Sequence, residues 1–158
     1  MTKISDAQQA FVTKIQVLYD VEKQLEKALP KMAKAAASSD LRDGFETHLE
    51  ITKNHSARLD KVFEMINSKP KKLSSEGIRG IIDDGDWVAK VEAPDNVKDS
   101  MLAGAARYAE HYEMAGYMTA ILEADALGHA DVASLLSESL AEEEAADDEL
   151  ASIVSRNL

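Results

Sequence analysis

The chain has 158 residues, no cysteine and a formal net charge of −11. A single domain spanning 1–158 fits that length and can bury roughly 70% of the surface its unfolded chain exposes. The missing thiol excludes disulfides, thiolate zinc sites and iron–sulfur clusters, and the acidity argues against nucleic acid or an anionic membrane surface as partners while leaving cations open.

Ser5 with Gln8 reads as a capping box that opens a first helix. Its apolar stripe of Phe11, Ile15, Leu18, Leu25, Leu29 and Met32 follows one helix face, and Pro30 is expected to kink it. Asp40 is the candidate cap of a second helix with Phe45, Leu49, Leu59, Phe63 and Ile66 on its stripe; Asn67-Ser68-Lys69-Pro70 ends it. Residues 68–94 form a long connection, in which Ser74 or Ser75 caps a short helix through Ile78, Ile81 and Ile82, with Trp87 expected to pin the segment to its neighbours. Pro94-Asp95 opens a third long helix with two stripes. One holds Met101, Ala105, Tyr108, Tyr112, Ala115, Thr119, Leu122 and Ala126; the other, mostly small, holds Ala103, Ala106, Tyr117, Ala120 and Ala124. Two usable faces predict burial on both sides, by the helices of the same chain and by a second subunit. Gly128 is its C-terminal cap, and the last helix carries Val132, Leu135, Leu136, Ala146, Leu150 and Val154. Two helical hairpins joined by a long crossover predict an all-α, ferritin-like four-helix bundle.

Polar groups interrupt these stripes. Glu22 falls between Leu18 and Leu25, Glu143 and Asp147 stand on the last stripe, and Glu110 and Glu113 interrupt the small-residue stripe ahead of Tyr117. His48 and His55 share one side of the second helix through Thr52, whereas His111 belongs to the face of Tyr108 and Tyr112. A buried unpaired carboxylate is costly, so such groups must be paired, bound to a cation or wetted by a groove. Glu22 precedes His55 by 33 residues, Glu110 precedes Glu143 by 33 and Glu113 precedes Asp147 by 34, as if two similar hairpins each donate an acid and a second group. Carboxylate-rich sites with few imidazoles suit iron or manganese better than zinc. The candidate metal ligands are therefore Glu22, His55, Glu110, Glu113, Glu143 and Asp147, and the spacing leaves open whether His48, His111 or Glu50 joins them. Plainer readings stand beside these: Glu22 paired with a lysine, the histidines satisfied in the core, Glu110 and Glu113 at a dimer interface. Glu142, Glu144, Asp148 and Glu149 read as a solvated acidic face, and Tyr108, Tyr112 and Tyr117 as core or interface residues.

Leu18-Tyr19-Asp20-Val21-Glu22-Lys23-Gln24-Leu25 resembles the first-helix motif of the YciF-type bacterial stress proteins, a branch of the ferritin-like superfamily. Ala109-Glu110-His111-Tyr112-Glu113-Met114-Ala115-Gly116-Tyr117 resembles their third-helix motif; His48-Leu49-Glu50 with Arg58-Leu59, Leu127-Gly128-His129 and Glu142-Glu143-Glu144-Ala145-Ala146-Asp147 continue the likeness over nearly the whole chain. It implies an all-helical homodimer linked to stress response. The chain is more distantly similar to rubrerythrin, whose helices offer a Glu, a Glu-x-x-His, a Glu-x-x-Glu and a further Glu-x-x-His. Glu22 matches the first element and Glu110 with Glu113 the third. The second matches only through His55, with Thr52 where Glu is expected, and the fourth through Glu143, with Ala146 in place of His and Asp147 one residue on.

Two functions follow. In one, the bundle holds a di-iron centre, with manganese as the alternative, and acts as an oxidoreductase on a small oxidant, peroxide or oxygen. In the other it binds no metal and serves as a dimeric scaffold with a structural or partner-binding role in stress. The N-terminal residues show no apolar core followed by a cleavage site, and no apolar run approaches the roughly 18 residues of a membrane span, so the expected location is the cytoplasm. No serine–histidine or glycine-loop motif points to a hydrolase.

Overall fold

The computed structural model describes residues 3–71 and 73–157. Five helices follow one another, α1 (Ala7–Ala35), α2 (Ser39–Met65), α3 (Glu76–Val88), α4 (Asp95–Ala126) and α5 (Ala130–Asn157), with no strand among the described residues. The N-terminal cap lies one residue beyond the expected Ser5: Asp6 accepts the Gln9 amide at 2.8 Å, and the Gln9 side chain accepts the Ser5 amide at 3.1 Å. A carboxylate there also meets the positive end of the helix dipole. The helix runs on through Pro30 to Ala35. Ser38, not Asp40, caps α2 through the Leu41 amide at 3.3 Å, which leaves Asp40 in the first turn.

Two helix ends share one device. Asn67 and Gly128 adopt φ of 52° and 79°, and the following amides reach back, Ser68 to the Phe63 carbonyl and His129 to the Ala124 carbonyl, each at 2.8 Å. This left-handed cap satisfies carbonyls the helix leaves open.

The α1–α2 and α4–α5 hairpins pack against each other. The buried carboxylate of Asp99 on α4 accepts the amides of Ala37 and Ser38 at 2.7 and 2.8 Å, which stitches the first hairpin's turn to the second hairpin. In the crossover, α3 lies on α1 and α4. Its Ile78 joins Val21, Leu25 and Ala109, and the Ser75 amide donates to the Asp20 carboxylate at 2.8 Å. Trp87 does not pin this segment: it is 63% exposed, and Ile78 and Val88 make the buried face instead. On α4 the small-residue stripe turns inward, and Tyr108 and Leu122 of the other stripe stand 69% and 71% exposed.

The core is split. One apolar cluster holds Phe11, Ile15, Leu18, Leu59, Phe63, Tyr117 and Leu136. The other holds Leu29, Met32, Leu41, Phe45, Leu102, Leu150 and Ile153. On each of the four long helices the buried acids and histidines, Asp99 apart, fall between these two sets. The polar groups therefore sit at mid-height, closed off at both ends by hydrocarbon. No described helix is long and apolar enough to cross a membrane.

Candidate metal centre

Each helix delivers its polar group where the apolar stripe breaks. Glu22 comes from α1, His48 and His55 from α2, Glu110 and Glu113 from α4, and Glu143 from α5; all are buried. They form two groups. His48, Glu110, Glu113 and Glu143 can each offer one ligand atom within 4.8 Å of the others, and so can Glu22, His55 and Glu143. Glu143 belongs to both.

His48 Nε2 lies 3.4 Å from Glu110 Oε1 and 3.5 Å from Glu143 Oε2. His55 Nδ1 lies 2.8 Å from Glu143 Oε1 and 3.5 Å from Glu22 Oε1. The 2.8 Å approach is close but off the axis of a hydrogen bond, so His55 Nδ1 and both Glu143 oxygens count among the buried atoms without a hydrogen-bond partner. The same holds for Glu22 Oε2, His48 Nδ1, Glu110 Oε2 and both oxygens of Glu113. Groups this deep are ordinarily satisfied. A cluster of close, misaligned, unsatisfied donor atoms is what removing a shared cation would leave behind.

The titration behaviour follows from this crowding. Burial pushes the carboxyls of Glu110 and Glu113 well above the usual carboxylate range, and the Glu143 charge adds to it. Burial raises Glu22 as well, against the pull of His55. Burial alone would lower His55, but its contacts with Glu143 and Glu22 outweigh that and hold it at about 10. Glu143 is correspondingly lowered: its burial acts upward, and the contact with charged His55 acts more strongly downward. Burial lowers His48, leaving it a neutral imidazole suited to ligation.

A second layer fixes these groups. The Tyr117 hydroxyl donates to Glu22 Oε1, and its ring meets His55 edge-on at 5.9 Å. His55 Nε2 lies 2.7 Å from Glu142 Oε2, which also accepts from Arg58 at 2.9 Å; Arg58 in turn donates to Ser139 at 2.7 Å. A carboxylate behind a histidine sets its tautomer and ring orientation, the usual support of a ligating imidazole.

Five of the six residues expected as ligands thus meet in one place. Asp147 does not join them: Arg107 holds it bidentately at 2.7 and 3.1 Å, and His111 approaches it at 3.2 Å, so it stands at the rim in a charge pair of its own. Exposed Glu50 pairs with Lys53. His48, left open by its spacing, lies in the cluster. Glu142, its side chain 40% exposed, edges the solvated face but also pairs with His55 and Arg58, and Tyr117 is more than core. The signal for both was adjacency, Glu142 beside Glu143 and Tyr117 one turn beyond Glu113, but nothing in a single sequence assigns their partners.

Residues 6–158 match the family described as a domain of unknown function, DUF892. The chain belongs to that family. It is 36% identical over 149 residues to Protein YciF of Escherichia coli (strain K12), covering 94% of this chain and 90% of that protein. The crystal structure of the E. coli stress protein YciF superimposes with a TM-score of 0.94 at 34% identity over 98% of both chains. A structure described as ferritin-like, diiron-carboxylate proteins from Bacillus anthracis str. Ames matches with a TM-score of 0.74, covering 96% of this chain and 99% of that one; at 14% identity it speaks for the ferritin-like fold alone.

Proposed function

We propose that the mid-bundle cluster is a two-metal centre, taking iron or manganese, and that the protein uses it to reduce peroxide or oxygen under stress. The observation that carries this reading is the set of unsatisfied buried donor atoms on four carboxylates and two imidazoles. Ferritin-like two-metal sites use that same count, four Glu and two His, with one His on each of two helices. Here both imidazoles come from α2. Ala146 leaves α5 without one, and His48 reaches the same neighbourhood from the opposite hairpin.

Glu22 and His55 would hold one ion, His48, Glu110 and Glu113 the other, and Glu143 would be shared. Bound there, such a pair supplies electrons to an oxygen–oxygen bond. The chain's own residues do the rest. Tyr117 and Glu142 lock Glu22 and His55 in place, the two apolar clusters keep out bulk water, and the low dielectric strengthens each carboxylate's hold on a cation.

The rival reading, a metal-free scaffold, draws on the charge of His55, which compensates Glu143. It leaves Glu113 with no cationic partner and Glu110 with only the His48 imidazole at 3.4 Å, and buried carboxylates so placed are destabilising. The test is metal content per chain after growth with iron and manganese, for the wild type and Glu143→Ala. Roughly two ions per wild-type chain and none in the variant is the expected result. No metal in either protein would discard the two-metal reading in favour of the scaffold.

A further inference from the structure

A cavity of about 180 Å³ opens between α2 and α5 and ends at His48 and Glu110. Its walls are largely hydrocarbon, Leu41, Phe45, Ile51, Ala146, Leu150 and Ile153. The space exists because Ala145 and Ala146 present only methyl groups one turn after Glu142 and Glu143. At about 180 Å³ the space is several times what one water or hydrogen peroxide needs and about the size of an apolar cavity that takes a benzene-sized molecule. The outer end carries Glu142 and Glu149, and the inner end Glu110, so an anionic head such as a fatty-acid carboxylate is disfavoured. His48 and Glu110 are the polar residues at the buried end of the cavity, and a neutral head that both donates and accepts suits an imidazole beside a carboxyl.

We propose that this cavity is the substrate pocket of the centre and that its ligand is an organic hydroperoxide with a short hydrocarbon tail, about the size of a benzene ring. The tail lies against Phe45, Leu150 and Ile153, and the hydroperoxide group reaches His48 and Glu110. The reaction part rests on the function proposed above. Two ferrous ions held by the residues of the centre would supply one electron each for breaking the O–O bond, with two protons from solvent, to give the alcohol and water. The binding part stands on the cavity alone.

The binding part is tested on metal-free protein by calorimetric titration with straight-chain 1-alkanols, which mimic the product. Affinity should rise about fourfold per methylene and level off once the cavity is full. Ala145→Leu and Ile51→Phe each narrow the cavity from its outer wall, away from the proposed ligands, and each should weaken 1-hexanol binding at least tenfold while keeping the wild-type metal content. In the iron-loaded protein a hexyl hydroperoxide should then be reduced faster than hydrogen peroxide. No alkanol binding, or binding unchanged in both variants, overturns the pocket and leaves the metal centre standing. Alkanol binding by a protein that takes up no metal overturns the reaction and retains the pocket.

Discussion

Neither oxygen of Glu113 has a hydrogen-bond partner, and burial together with the nearby Glu143 resists its ionisation. The site is thus built at the expense of the empty fold, and Glu113→Gln separates the two. A neutral amide removes the carboxylate and can donate to its acidic neighbours. The metal-free variant should be more stable than the metal-free wild type by about 1–2 kcal/mol, read as a higher Tm near neutral pH. It should also lose the rise in Tm that iron or manganese gives the wild type. A variant less stable than wild type when both are metal-free would contradict the account. The pH dependence follows from the same residues. His55, held at about 10 against its ordinary 6.5, stabilises the fold fully below pH 6.5, and that contribution is lost as pH climbs towards 10. The raised values of Glu22, Glu110 and Glu113 act in the same direction, because the unfolded chain ionises first as pH rises above 4.5. The lowered Glu143 contributes fully above its ordinary 4.5 and loses that contribution only as pH falls below it. Metal-free protein should therefore lose on the order of a few kcal/mol between pH 6.5 and 10, and metal should flatten the profile. A denaturant titration at several pH values checks both.

At the scale of an element, α3 carries the sharpest contrast. A methyl group added at Gly77 would meet the Tyr112 ring at 2.8 Å, whereas one added at Gly80 meets nothing within 4 Å. Both glycines lie in one short helix, where alanine is the better helix former. Gly80→Ala should stabilise by up to about 1 kcal/mol. Gly77→Ala should cost about 1–3 kcal/mol, because it displaces the ring whose hydroxyl pairs with Ser75 at 3.0 Å. Two thermal melts decide it, and equal shifts would show that α3 docks more loosely than its contacts imply. This helix also marks where sequence reading stops. The four long helices were legible because an apolar stripe needs only a period, and the acids breaking it located Glu22, Glu110, Glu113 and Glu143. The placement of Trp87 was not legible. Hydrophobicity favours burial, but α3 has one buried face, and Trp87, next to Val88, lies off it. The roles of His48 and Glu142 depend on how α2 is rotated against α5, across a separation of 87 residues for the His55–Glu142 pair. Periodicity within one helix carries no information about that rotation. The cap moved from Ser5 to Asp6 for a smaller reason: both residue types cap well, and local sequence barely separates them.

The whole molecule leaves one surface unexplained by its own fold. The outward face of α4 exposes Tyr108 and Leu122, with His111, Ala115, Met118 and Thr119 exposed between them and no carboxylate among the six. In a chain with a net charge of −11, an uncharged apolar stripe on the longest helix is the natural place for a second copy to dock. We expect a homodimer in sedimentation equilibrium. Tyr108→Glu combined with Leu122→Glu should make it monomeric and leave the metal content unchanged, since Glu110 and Glu113 face the other way. Leucine at Ala103, Ala106 or Ala120 would be a poor test of assembly: those residues are buried inside the chain, and overpacking them would destabilise the fold itself. Ionic strength gives the independent check. Two acidic chains repel, and salt shortens the reach of that repulsion to about 8 Å at 0.15 M, while contact between apolar side chains is not weakened. Dimerisation through this stripe should therefore strengthen as salt is raised. An interface held by ion pairs between the two copies would weaken instead, so the sign of the salt dependence identifies the kind of surface they share.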